Sequence, residues 1–150
     1  GTLWVAYNGT NKIGAIDPNT LEARYYNLPN SLTRVRRLDI DSQDNIWYVN
    51  SSMGKIGRLV PDTGEITEWD SPSGPKSHPY AIAVINDIVW YNESAMRPDA
   101  LVRFDPKTES FQSWPIPSGV GIIRHVWTTK AGNLLIHQSS TNQVGLVKIN

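Results

Sequence analysis

Apolar and polar residues alternate over short stretches along the whole chain, with the period of two that a half-buried strand requires. Residues 36–41, 46–50, 55–60 and 65–69 each carry this alternation. The polar stretch Ser42-Gln43-Asp44-Asn45, a loop through Met53-Gly54 and the turn Pro61-Asp62-Thr63-Gly64 separate them. The same order returns over 80–85, 87–92, 100–105 and 110–114, with Pro106-Lys107-Thr108-Glu109 as the matching turn. No segment sustains a 3.6-residue period between caps, so helix is expected to be nearly absent. The pattern predicts an all-β chain of about fourteen strands, grouped four to an antiparallel sheet.

The groups repeat. Leu3-Trp4-Val5, Ile46-Trp47-Tyr48, Val89-Trp90-Tyr91 and Leu134-Leu135-Ile136 open four copies of one motif, spaced 43, 43 and 45 residues apart at Trp4, Trp47, Trp90 and Leu135. Short strands at such a period indicate the blades of a β-propeller. The copies divide one domain, residues 1–150, into units at approximately 1–29, 30–72, 73–117 and 118–150. The first unit lacks its inner strand and the last its outermost, which gives about three and a half blades. Recurrence at one repeat position marks Trp4, Trp47 and Trp90 as blade-to-blade packing, while Trp69 and Trp114 cover outer edges. Gly14, Gly57 and Gly145 follow the anchors by ten residues and read as sites of close strand packing.

An incomplete ring leaves two blade faces uncovered, and large apolar faces seek partners. Two completions are expected ahead of a small closed monomer: a second copy forming a homodimer or larger assembly, or a longer polypeptide of which this is a part.

Composition narrows the partners. With 39% hydrophobic residues, six Trp and six Tyr the chain can bury a real core. Lys plus Arg and Asp plus Glu each number 14, so no overall positive field exists to collect nucleic acid. No apolar run reaches the roughly 18 residues of a membrane span, and no basic, apolar leader opens the chain. The absence of cysteine excludes disulfides and thiolate metal sites and suits either a cytoplasmic or an oxidising compartment.

The segments Asn45-Ile46-Trp47-Tyr48, Gly54-Lys55-Ile56-Gly57-Arg58-Leu59, Pro61 to Trp69 and Pro79-Tyr80-Ala81-Ile82-Ala83-Val84 resemble the repeat of the virginiamycin B (streptogramin B) lyase-like propellers. The resemblance implies a seven-bladed parent fold, of which this chain supplies about half. It also implies a chemistry: elimination across the ester of a cyclic depsipeptide, with Mg²⁺ bound and with His and Glu at one end of the central channel. The family's motif His falls ten residues before the Trp anchor, at Arg37, Tyr80 and His125 here. Of these only His125 keeps the residue type, with Arg124 where the family has Pro. The Glu two residues earlier is replaced by Val35, His78 and Ile123.

Antiparallel geometry supplies a second route to the same place. The start of an inner strand and the end of the next lie at one rim, so Arg37, Tyr80 and His125 are expected beside Asn50, Glu93 and Gln138, with Tyr7 as the equivalent in the first unit. In this set His125 is the candidate base, with Tyr80 as a second catalytic candidate, and Arg37, Tyr80, Arg124, Asn50, Tyr7 and Gln138 are candidate ligand contacts. Glu93 is the candidate ligand for Mg²⁺, although one carboxylate with amide oxygens makes a weak, water-rich site. Alternation sends Arg34 and Arg36 to one side and Arg37 to the other, and the run can cradle an anion or simply solvate the channel entrance.

Each of these residues also has a plain structural reading. His125 can bond a neighbouring carbonyl, Glu93 can pair with Arg97, His78 sits in a linker, and His137 faces away from Gln138. The expected function is therefore a propeller that binds a small molecule, peptide or protein at its channel mouth. The alternative is a Mg-dependent lyase opening a cyclic depsipeptide ester.

Overall fold

A computed structural model describes residues 1–119 and 122–149. The described residues contain fourteen strands and no helix, in four antiparallel sheets. The first sheet has three strands, β1 (Leu3–Tyr7), β2 (Lys12–Ile16) and β3 (Ala23–Asn27). The second has β4 (Val35–Ile40), β5 (Ile46–Asn50), β6 (Lys55–Val60) and β7 (Glu65–Asp70). The third follows with β8 (Pro79–Ile85), β9 (Ile88–Glu93), β10 (Ala100–Asp105) and β11 (Ser110–Pro115). The fourth has three, β12 (Ile123–Thr128), β13 (Leu134–Gln138) and β14 (Gln143–Val147). Within each sheet the strands neighbour one another in chain order, and β8 packs between β4 and β12. The sheets are thus successive propeller blades with β4, β8 and β12 innermost, and the first blade begins at the position of a second strand.

Three apolar clusters fill the spaces between blades. Ile13 and Leu28 meet Val35, Ile46, Tyr48 and Leu59; Trp47, Val49 and Ile56 meet Ile82, Val89, Tyr91 and Phe104; Ala81, Ala83, Trp90 and Leu101 meet Ile123, Val126 and Ile136. Strand parity explains the division: the Trp anchor faces the following blade, and the residues one and three places later face the preceding blade. Trp47 stacks on Trp69 at 5.5 Å, and Phe104 of the next blade closes on both rings. Gly57 lies under the Tyr48 ring, where an added Cβ would sit 2.1 Å from Cζ. Trp4, Trp47, Trp90 and this glycine accordingly have the packing roles that their recurrence predicts, whereas Trp69, expected to cover an outer edge, packs in the cluster between blades.

Polar ties join the blades at their rims. Asn8 donates to the Val35 carbonyl at 3.1 Å, and Asp87 accepts from the amide and hydroxyl of Ser42 at 2.9 and 2.8 Å. Asp41 accepts the Trp47 indole N–H at 2.9 Å, which satisfies the donor that packing would otherwise bury.

All three inner strands break register at the same repeat position, between Val35 and Leu38, Pro79 and Ile82, and Ile123 and His125. The bulged pairs are Arg36-Arg37, Tyr80-Ala81 and Arg124-His125. A bulge suspends strict alternation and re-aims side chains. This corrects the expected separation of Arg36 from Arg37: both guanidiniums lie over the Tyr80 ring, at 5.0 and 5.8 Å from its centroid.

Candidate functional site

The inner strands enclose one groove, about 290 Å³, along the face where the propeller axis would run. β4 contributes Arg37 and Asp39, β8 contributes the small residues Ala81 and Ala83, and β12 contributes Arg124, His125 and Trp127. Ala81 and Ala83 are themselves buried against β12, so the charged and aromatic groups of the groove come from the strands on either side. The bulge on β12 brings the consecutive residues Arg124 and His125 to the same groove.

His125 stacks on Trp127 with ring centroids 5.0 Å apart and planes 9° from parallel. Its cross-strand partner His137 has its ring 6.3 Å away. Burial pushes the His125 pKa below the ordinary histidine value, and the positive charge of Arg37, the neighbouring His137 and Arg124 push it further the same way. The ring is therefore neutral at pH 7 and available to accept a proton. Asp39 accepts from the Val84 amide at 2.7 Å, across the blade boundary, and from the Ile40 amide at 2.9 Å. Burial raises its carboxyl pKa, and these two amides oppose the rise.

Three residues expected from the sequence, Arg37, Arg124 and His125, thus meet in the groove. Tyr80 does not join them. The hairpin between β8 and β9 turns on only Asn86-Asp87, both at positive φ (51° and 61°), as a two-residue turn demands. Between the equivalent cross-strand pairs Val84–Val89 and Ile40–Ile46 the third blade has one residue fewer than the second, so counting back from Trp90 lands one place early. Tyr80 is the counterpart of Arg36 and Arg124, and Ala81 is the counterpart of Arg37 and His125. A slip of one residue changes the face of a strand. Tyr80 serves as the aromatic platform under Arg36 and Arg37, outside the groove lining.

Asn50, Glu93 and Gln138 are also corrected. Each ends a second strand on the face turned toward the preceding blade, and each is buried. Asn50 donates to Thr33 Oγ1 and Glu68 Oε1 at 3.2 Å each and accepts from the Arg34 amide. Glu93 accepts from the Ser71 hydroxyl at 2.6 Å, the Ser73 amide at 3.0 Å and the Ser73 hydroxyl at 2.5 Å. Gln138 accepts from Thr141 at 3.3 Å. These side chains are clamps; those of Asn50 and Glu93 hold the linkers that enter the inner strands. Tyr7 stacks edge-on against Tyr25 at 5.6 Å on the first blade, which contributes nothing to the groove.

Mg²⁺ does not fit the residues present. Both Glu93 oxygens are occupied inside the fold, and among the described residues no group of three or more His, Cys, Asp or Glu side chains could hold a metal ion. Asp39 and Trp127 are groove residues that the sequence reading passes over. Their signal is their place two residues beyond Arg37 and His125 on the same strands.

With that geometry in view, comparison with solved structures is informative. A catalytically inactive variant of virginiamycin B lyase from Staphylococcus aureus, solved with quinupristin, superposes with a TM-score of 0.88 at 24% identity, covering 100% of this chain and 50% of that one. This chain has the lyase propeller's fold. A streptogramin B lyase structure matches with a TM-score of 0.84 at 19% identity, over 99% of this chain and 51% of its own. The chain therefore spans about half the length of these lyases. No family model and no curated protein matches the sequence. At these identities the likeness to the lyases extends to architecture, while chemistry is decided by the groove's own residues. Among the described residues no helix is long and apolar enough to cross a membrane.

Proposed function

We propose that this chain is a propeller segment whose inner-strand groove binds a small-molecule or peptide ligand. The observation that carries the reading is the convergence of Arg37, Arg124, His125 and Trp127 on one concave space, with the middle strand contributing Ala81, Ile82 and Ala83. A flat aromatic ring beside hydrogen-bond donors supplies both contact area and orientation, the usual composition of a ligand pocket.

The second reading is elimination across an ester, favoured by the neutral ring of His125 and by the fold shared with the lyases. In that reading His125 takes the α-proton, the C–H electron pair becomes the new double bond, and the C–O bond breaks to release a carboxylate beside Arg37 and Arg124. No step is assigned to Mg²⁺.

Both readings are served by a completed ring, and we propose a second copy as its source. The outward face of the last blade exposes Val144 and Leu146 at 68% and 56%, and the first blade exposes Leu3 at 54%. Val144 and Leu3 occupy repeat positions that are buried between the internal blades, at Ile56 and Leu101 and at Ile46 and Val89, so the two faces are the two halves of a packing the chain already uses.

Quinupristin is the probe that separates the readings. Calorimetric binding that is lost in Trp127→Ala supports the ligand groove, and ester opening that is lost in His125→Ala supports the lyase. Absence of both binding and turnover overturns the proposal.

A further inference from the structure

The groove has a charge character that its shape alone does not convey. Arg34, Arg36, Arg37 and Arg124 lie on or beside the inner strands, and among the described residues none of them forms an ion pair. The three ion pairs found there, Lys55–Asp70, Arg97–Asp99 and Arg103–Asp105, all lie outside the groove lining. Arg37 donates one hydrogen bond, from Nη1 to the Arg36 carbonyl at 3.1 Å, and its buried Nε has no partner. Asp39, the acid among the groove-lining residues, spends its oxygens on the Val84 and Ile40 amides.

A buried guanidinium N–H without an acceptor costs free energy unless something supplies one. Here the bulges have turned cations from two strands, β4 and β12, toward a common space, with Arg36 and Arg37 steadied on the Tyr80 ring. Guanidinium donors meet carboxylate and phosphate oxygens in a fixed fork, so two arginines facing one groove form an acceptor-shaped gap.

We infer that the inner-strand groove takes an oxyanion, with Arg37 and Arg124 as its donors and His125 and Trp127 as the wall beside it. This rests on the ligand-groove reading above and names the class of ligand. Carboxylate and phosphate share the chemistry, and citrate and inorganic phosphate are the two probes that tell them apart.

Titrate the intact protein with each anion by calorimetry at constant ionic strength set with chloride. Saturable binding of either one is expected, with citrate favoured for a carboxylate ligand and phosphate for a phosphorylated one. Arg37→Gln and Arg124→Gln should each weaken it roughly tenfold, the loss of one charge-assisted contact. Arg37→Lys keeps the charge and guards against a folding artefact; it should lose less than Arg37→Gln. Arg24→Gln, an equal charge change on the exposed face of the first blade, should leave affinity within about twofold. No saturable binding of either anion overturns the inference, as does binding that Arg37→Gln and Arg124→Gln leave intact. Quinupristin distinguishes the two levels: if it binds in a Trp127-dependent way while both anions fail, the groove survives and its oxyanion character does not.

Discussion

The rings of His125 and Trp127 lie face to face, 5.0 Å apart, on the inner strand of the last blade. The pair gives the groove an internal reporter. His125 titrates below the ordinary histidine value because it is partly buried and faces Arg37, His137 and Arg124. Protonation puts a cation against the indole, so Trp127 emission should fall as pH drops below about 6.5. The pH-dependent part should vanish in His125→Gln and in Trp127→Phe. An unchanged profile in either variant would disprove the pairing.

Asp99 is buried, and its carboxyl pKa is pushed up to about 6 by burial, against the pull of Arg97. A folded-state value above the unfolded one means that the folded protein binds more protons between the two, so stability falls as pH rises through that window. Asp99→Asn removes the buried charge. It should raise stability by about 1–2 kcal/mol at pH 8 and by nothing measurable at pH 4, read from urea melts at both values. A loss of stability at pH 8 would mean that the Arg97 pair outweighs desolvation.

Glu93 tests the reading of a second-strand polar residue as a clamp. Glu93→Gln keeps the shape and removes the charge from three hydrogen bonds, and should cost about 2 kcal/mol in urea unfolding. Added Mg²⁺ should leave the melting temperature of the unaltered protein unmoved. A Mg²⁺-dependent rise that Glu93→Gln abolishes would restore it as a metal ligand.

Gly57 and Gly145 hold the same repeat position in different surroundings. A Cβ at Gly57 meets the buried Tyr48 ring, whose hydroxyl is held by Glu68 at 2.9 Å, while at Gly145 the nearest atom is 3.6 Å away. Gly57→Ala should cost about 2–3 kcal/mol by overpacking. Gly145→Ala should stay within about 0.5 kcal/mol, as substitutions free of such a clash do. Equal effects would show that the glycine is retained for backbone reasons instead.

Much of the architecture was written in local chemistry. Trp4, Trp47 and Trp90 recur with their strands, and the turns expected at Pro61–Gly64 and Pro106–Glu109 close on Gly64 and Glu109, both at positive φ. The groove was only partly visible, for two physical reasons. A bulge leaves no signature in an alternation pattern, so Arg36 and Arg37 read as an opposite-facing pair when they are not. A spacing measured from Trp90 crosses the Asn86-Asp87 turn, whose missing residue displaces Tyr80 by one. Glu93 and Asn50 look like channel groups by position, but the parity that sends Trp47 and Trp90 forward sends them back under the preceding linker.

The central claim is that the Arg37–Arg124–His125 groove is a binding site, and the most direct measurement is the His125 ring titration followed by NMR with and without citrate or phosphate. The account predicts a pKa below the ordinary value in chloride alone and a rise when an anion sits between the ring and its neighbouring cations. A His125 that titrates at the ordinary value and ignores both anions would contradict it.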